Sequence, residues 1–234
     1  MPDDQVVVTG GSKGIGAAIA TELAARGHEV VSLSRSGTAP VGRAVACDLT
    51  DEAALVAAVA GVAEQGSIAS LVNNAGINVA HKSSELGLAD YEQVMRVNAS
   101  STMLASREIY PHLKARGGGT IVNIGSFFDK VGVRHQLAYS ASKAAIAAMT
   151  RVLAVEWARD GICVVNVAPG YIRTELSEFW QNPKSLAWIE ERVPLRRPGT
   201  SQEVARFVAS LLGERNAFLT GETIYIDGAH GINH

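Results

Sequence analysis

Short apolar runs rich in β-branched residues alternate along this chain with longer alanine-rich stretches of helical period. The runs are QVVVTG, EVVSLS, AVAC, SLVNNAG, TIVNIGS, CVVNVAPG and TIYIDG; the helical stretches cover 14–27, 51–65, about 89–115, 139–159 and about 201–212. Strands that are apolar throughout, rather than at every second position, are buried on both faces, which requires helices above and below a parallel sheet. The pattern predicts a doubly wound α/β fold, with a central parallel sheet of about seven strands flanked by helices. One connection breaks the alternation. Between EVVSLS and AVAC stands only RSGTAPVGR, rich in Gly and Pro and too short for a crossover helix, so a loop is expected there.

Composition narrows the class without changing this picture. The 234 residues suit one sizeable domain spanning 1–234, and at 47% hydrophobic and 19% charged the chain can bury a substantial core. A net charge of −2 with no basic arm argues against a nucleic-acid partner. Cys47 and Cys163 both sit in apolar runs and read as buried thiols of a reducing compartment. The acidic start MPDDQVVVTGG enters a strand at once, with no signal peptide, and the longest apolar run, AALVAAVAGVA, is too short to span a bilayer. A soluble cytoplasmic protein with no membrane partner is expected.

Candidate chemistry lies just after the strands, where doubly wound sheets bind ligands. TGGSKGIG (9–16) follows the first strand and opens the first helix. Gly10, Gly14 and Gly16 permit a tight turn, a close approach to a pyrophosphate and close helix–strand packing, and the helix start supplies amide donors. The alternative is a sharp turn without ligand. At the end of the second strand a carboxylate suits the ribose hydroxyl of NAD, whereas an arginine suits the phosphate of NADP. Ser34 and Arg35 stand there, and Lys13 adds a second cation, so NADP is favoured over NAD unless both cations are merely solvated.

YSASK (139–143) places a phenol and an ammonium one helical turn apart, on one face. The pair is either an ordinary surface feature or a tuned acid. A cation ~4 Å from the phenol at an effective dielectric of ~20 is worth about 4 kcal/mol. That suffices to bring a tyrosine from its usual ~10 to ~7.

TGGSKGIG, NNAG (73–76), YSASK and PGYIRT (169–174), in this order, resemble the short-chain dehydrogenase/reductase family, and the likeness runs to FLTGETIYIDGA near the carboxyl terminus. It is nearest in style to the 3-oxoacyl-(acyl-carrier-protein) reductase branch. The resemblance implies a Rossmann-type fold and an oxidoreductase that interconverts a ketone and a secondary alcohol. It also implies four catalytic positions: Tyr139 as general acid/base, Lys143 to lower its pKa and hold the nicotinamide ribose, Ser126 to bond the substrate oxygen, and Asn98 to hold a relay water. Ser126 could equally be a turn or capping serine and Asn98 a structural amide. The family's cofactor contacts map onto Gly10, Ser12, Lys13, Gly14, Ile15 and Gly16, then Ser34 and Arg35, Asp48 and Leu49, and Asn74, Ala75 and Gly76. They end on Tyr139, Lys143, Pro169, Gly170, Ile172 and Thr174. Asp48 has a rival role as a turn residue. No metal is called for.

Residues 171–199 are expected to form a substrate lid, with Phe179, Trp180 and Trp188 closing over an apolar or ring-shaped substrate or packing elsewhere. FFDKVGVRHQ (127–136) should make the opposite wall, where Phe127, Phe128 and His135 are the candidates. The family's subunit interface implies a homotetramer through the helices at 89–115 and 139–159. Carrier-protein reductases dock an acidic partner on basic residues; here Asp160 precedes Gly161, leaving Arg116 and Arg159, so a free small or cyclic ketone or alcohol is favoured over a 3-oxoacyl thioester. Ala69, where relatives often carry aspartate, is a further departure. A non-catalytic NADP sensor or scaffold is the reading from another class, and the intact Asn98, Ser126, Tyr139 and Lys143 argue against it.

Overall fold

The computed structural model describes residues 4–174, 182–213 and 217–233. Seven strands form one parallel sheet: β1 (Asp4–Thr9), β2 (Glu29–Ser34), β3 (Arg43–Ala46), β4 (Ser67–Asn73), β5 (Gly119–Ile124), β6 (Ile162–Pro169) and β9 (Thr223–Ile226), in the order β3-β2-β1-β4-β5-β6-β9. The helices are α1 (Gly14–Ala25), α2 (Glu52–Ala63), α3 (Leu88–Met95), α4 (Ser101–Arg116), α5 (Leu137–Trp157), α6 (Pro183–Arg192) and α7 (Ser201–Gly213). No described helix is long and apolar enough to cross a membrane.

The continuous apolar strands do what their pattern requires. In β1, Val7 joins a core with Leu55 of α2 and Ile109 and Leu113 of α4. Its neighbours Val6 and Val8 point the other way, to Ile19 and Leu23 of α1 and Val204 and Val208 of α7. Each such fully buried aliphatic side chain contributes about 1.5–3 kcal/mol relative to exposure, so burying both faces of β1 favours the central position that it takes. The chain runs outward from β1 to β2 and β3, then returns to pair β4 on the other side of β1. That reversal opens a crevice beyond the carboxyl ends of β1 and β4. The expected loop between β2 and β3 is present, held by a hydrogen bond from Cys47 N to Ser34 O (2.9 Å).

Two elements differ from the sequence expectation. The single helix expected over about 89–115 is α3 and α4 joined by one π-helical turn, Arg96–Ser100, with Asn98 at its centre. Such turns insert one residue into the helix and redirect side chains, and no hydrophobic period reports them. The lid region contains α6, whose start is capped by Asn182 Oδ1 accepting from Lys184 N (2.9 Å). It also contains a short parallel pair, β7 (Ile172–Arg173) with β8 (Gly199–Thr200). Phe179 and Trp180 lie outside the described residues.

Candidate active site

The crevice beyond β1 and β4 is a cleft of about 790 Å³. Gly10 and Gly14 take positive φ (66° and 58°), which side chains rarely tolerate. A Cβ on Gly16 would stand 2.3 Å from both Gly10 O and Asn74 Nδ2, so α1 can pack this closely only through glycine. Gly11 carries a similar constraint that the sequence reading missed: its Cβ would meet Ser32 Oγ at 2.3 Å. Lys13 starts α1 in extended conformation without a side-chain capping bond, which leaves that cap role unfilled by the protein. Thr9 Oγ1, another residue missed, accepts from Asn74 N (3.0 Å) and Ala75 N (3.2 Å), and Asn74 Nδ2 donates to Thr9 O and Gly10 O. These bonds tie the ends of β1 and β4 into one floor.

Ser12, Lys13, Ile15, Ser34, Arg35, Asp48, Leu49, Asn74, Ala75 and Gly76 all line this cleft with Gly10 and Gly14. Gly16 and Pro169 do not line it; Gly16 is covered by Asn74, and Pro169 is buried in β6 against β9. Asp48 has the rival role as well: its Oδ1 accepts from Thr50 N (2.9 Å) and Thr50 Oγ1 (2.8 Å). Those bonds, with a smaller contribution from the Arg35 charge, hold its carboxyl below the usual carboxylate range.

A second cleft of similar size, about 790 Å³, is lined by Ser126, Tyr139, Phe127, Phe128, Tyr171 and Trp188 among others. Gly170 and Ile172 line it too, and Thr174 is common to both clefts, so the two meet there. The aromatic wall is edge-to-face throughout: Phe128 against Tyr139 (5.8 Å), Phe127 against Tyr171 (5.1 Å) and Tyr171 against Trp188 (5.4 Å). Neither His135 nor His230 is in that lining, but His230, from the chain's last described turn, packs edge-on against Phe127 (5.3 Å). Nothing in the local sequence marks His230, since its neighbours Phe127, Tyr171 and Trp188 all come from distant segments of the chain.

The four candidate catalytic side chains converge. Ser126 accepts from Phe128 N (3.3 Å), so it is the turn serine that sequence allowed, and it also hydrogen-bonds the Tyr139 hydroxyl. Lys143, only 3% exposed, donates to Ile124 O (2.7 Å), and its Nζ lies 5.5 Å from the Tyr139 ring centre. Asn98 is fully buried; its Oδ1 accepts from Ile77 N (2.8 Å), and its Nδ2 donates to Ile77 O (2.9 Å) and Ser142 Oγ (3.0 Å). Ser142 in turn donates to Tyr139 O (2.7 Å), coupling Asn98 to the helix that carries the tyrosine. Ser142 was missed, although its place three residues after Tyr139 puts it on an adjoining helix face. Gly76 explains how Asn98 and Lys143 reach the first cleft without lining it: a Cβ there would lie 3.3 Å from Asn98 Oδ1 and 3.8 Å from Lys143 Nζ.

The acidified tyrosine expected from sequence is not what the protein alone produces. Burial pushes the Tyr139 phenol up to about 12, against a lowering by its bond to Ser126, and burial brings Lys143 down to about 8. Desolvation disfavours the charged form of each, and it exceeds the Coulomb gain that the spacing argument assigned to the pair.

Known proteins are similar to this chain over nearly its whole length. The family model described as enoyl-(acyl carrier protein) reductase matches residues 10–230. Glucose 1-dehydrogenase of Gluconobacter oxydans is 34% identical, over 96% of this chain and 90% of its own length. The 3-oxoacyl-[acyl-carrier-protein] reductase MabA of Mycobacterium bovis is also 34% identical, over 98% and 93%. The solved structure of Thermoplasma acidophilum aldohexose dehydrogenase in ligand-free form superposes with a TM-score of 0.92 at 31% identity, covering 99% of this chain and 95% of that one. On a matching family model, full-length relatives and a common fold, this chain belongs to the short-chain dehydrogenase/reductase family of oxidoreductases.

Proposed function

We propose that the protein is an NADP(H)-dependent oxidoreductase that interconverts a small or cyclic ketone and its secondary alcohol. The observation that carries this reading is the meeting of two clefts at Thr174, one floored by glycines and the other holding Ser126 and Tyr139, with Lys143 close to Gly76 of the first and to the Tyr139 ring of the second. A nucleotide fits the first cleft: the positive-φ glycines and the α1 start without a side-chain cap make a cradle that side chains would fill. Gly10, Ser12, Gly14 and Ile15 would face the pyrophosphate, Leu49 and Asp48 the adenine, and Ala75 and Gly76 the ribose. Ile172 and Thr174 would face the nicotinamide. Lys13 and Arg35, both exposed at this cleft, support a 2′-phosphate and hence NADP over NAD.

When bound, the nicotinamide supplies or accepts the hydride. The chain's own residues handle the proton. Ser126 bonds the substrate oxygen and orients it on the Tyr139 hydroxyl. In reduction Tyr139 donates its proton to that oxygen, and in oxidation it accepts one. A phenol held at about 12 remains protonated at neutral pH, which suits the reductive direction. Lys143 holds its position through Ile124 O and presents its ammonium under Gly76, where it would meet the nicotinamide ribose. Asn98, through Ser142, fixes the start of the proton path to solvent.

A second reading, reduction of a 3-oxoacyl thioester, is favoured by the full-length likeness to MabA. Docking of a carrier protein is weakened by Arg116, which is engaged by Asp4 of β1, leaving Arg159 exposed. We further read the chain as one domain in which 171–199 closes over substrate, and as a cytoplasmic homotetramer. The exposed Val152 and Val155 on α5 and Met103 on α4 support that assembly. Purified protein assayed with NADPH against cyclic ketones, diketones, aldoses and acetoacetyl thioesters tests the activity. Tyr139→Phe should lower turnover about 100- to 10,000-fold, the usual weight of a general acid, with NADPH affinity retained. Undiminished turnover in that variant refutes the reading.

A further inference from the structure

We propose that the substrate carries an anionic group, a carboxylate or a similar oxyanion, which docks on Lys184 at the far side of the Tyr139 cleft. The proposal rests on the carbonyl-reductase reading above and names the substrate class of that same site. Its basis is the charge balance of the cleft wall. Among the described residues lining it, Lys184 is the only one carrying a full charge; no Asp or Glu is among them, and the remainder are aromatic, aliphatic or neutral polar. Lys184 takes part in no ion pair among the described residues, in contrast to Lys82, Lys114, Arg192 and Arg197, each of which has a carboxylate within reach. A cation with no ion pair and no acidic neighbour among the described lining residues attracts negative charge from solvent.

The lysine also stands on a fixed base. Its own N–H donates to Asn182 Oδ1, and Ile189 on the same helix is fully buried. Trp188, four residues on and therefore on the same helix face, packs edge-on against Tyr171, and Arg192 O at the far end accepts from Asn233 Nδ2 (3.2 Å). Ser185, in the same lining, adds a hydroxyl donor beside it. An oxo acid would thus place its ketone on Ser126 and Tyr139, its carbon chain along the aromatic wall and its carboxylate on Lys184. The inference concerns recognition only and adds no chemical step.

The test compares NADPH-dependent reduction of acetoacetate, levulinate and the next longer oxo acid with reduction of their methyl esters, which keep the ketone and lose the charge. Wild-type enzyme should prefer the acid over its ester by ~10-fold in kcat/KM at one chain length at least, as expected for one charge-assisted contact. The preference should shrink as salt is raised, because Lys184 is exposed. Lys184→Gln should bring the acid-to-ester ratio towards one, and Lys184→Glu should invert it. Esters reduced as well as acids by the wild type, or an acid preference that survives Lys184→Gln, overturns the inference and leaves the reductase reading intact. Reduction of acetoacetyl-CoA with every free acid inert also overturns it, in favour of a thioester. If NADPH binds and no carbonyl compound is reduced, the reductase reading fails and this inference falls with it.

Discussion

Replacing Lys143 with Met should stabilise the cofactor-free protein while removing its activity. The side chain is 3% exposed, and burial lowers its pKa from the usual 10.5 to about 8. At ~1.4 kcal/mol per tenfold step in the protonation equilibrium, that displacement makes the buried ammonium unfavourable by about 3 kcal/mol. Methionine fills a similar volume without the charge but gives up the bond to Ile124 O, a loss of about 1 kcal/mol. The net gain at pH 7 is therefore ~2 kcal/mol, or ~4–8 °C in Tm for a chain of this size. The pH dependence identifies the cause. Below pH 8 the lysine is charged in folded and unfolded chains alike, and the full penalty applies. Between about 8 and 10.5 the unfolded chain binds more protons than the folded one, so wild-type stability rises with pH relative to the variant. Thermal unfolding followed by circular dichroism at pH 7 and at pH 10 reads both quantities, and the difference between the two proteins cancels every other titrating group. A variant no more stable than wild type at pH 7, or an advantage that persists undiminished at pH 10, refutes the reasoning. On the proposed mechanism the same substitution should abolish turnover, because the ammonium beneath Gly76 would hold the nicotinamide ribose at a cost in stability.

On the proposed NADP reading, Arg35→Asp should weaken NADPH at least ~30-fold and NADH only slightly, since it would remove a charge-assisted phosphate partner and substitute a repelling group. Equal weakening in a fluorescence titration would show that Arg35 does not face the adenosine ribose. Gly16→Ala places a methyl 2.3 Å from Gly10 O, a backbone atom that can yield only by opening the glycine turn. It should cost about 1–3 kcal/mol in a thermal melt and reduce nucleotide affinity, and wild-type values for both would show that the packing has slack.

Some of this site could be read directly from local spacing. The positions of Tyr139 and Lys143 follow from one turn of helix, and the cleft-lining glycines follow from a turn that must run at positive φ. Other parts could not be read so. Asn98 belongs to a helical stretch whose apolar period gives no sign of a π turn, and its partners Ile77 and Ser142 lie 21 residues before it and 44 after it. The tyrosine's acidity failed for a similar reason: spacing supplies the distance between two charges, but burial sets the penalty against them, and burial is a property of the packed molecule. Lys184 lies in the segment expected to close over the second cleft, but its place in that lining, like the packing of His230 behind Phe127, is set by contacts between distant segments.

The sequence by itself determined the parallel sheet with helices on both faces, the loop in place of a second crossover helix, and the family to which the chain belongs. These are written in periodicity, in glycine positions and in ordered motifs, all properties of residues close together along the chain. Only the tertiary structure decided which strand ends meet, how Asn98 and Lys143 lie beneath Gly76, and that Lys184 joins Tyr139 in the lining of the second cleft. Such juxtapositions are selected by the burial of two apolar cores at once, a condition on the whole chain that no short window of residues contains.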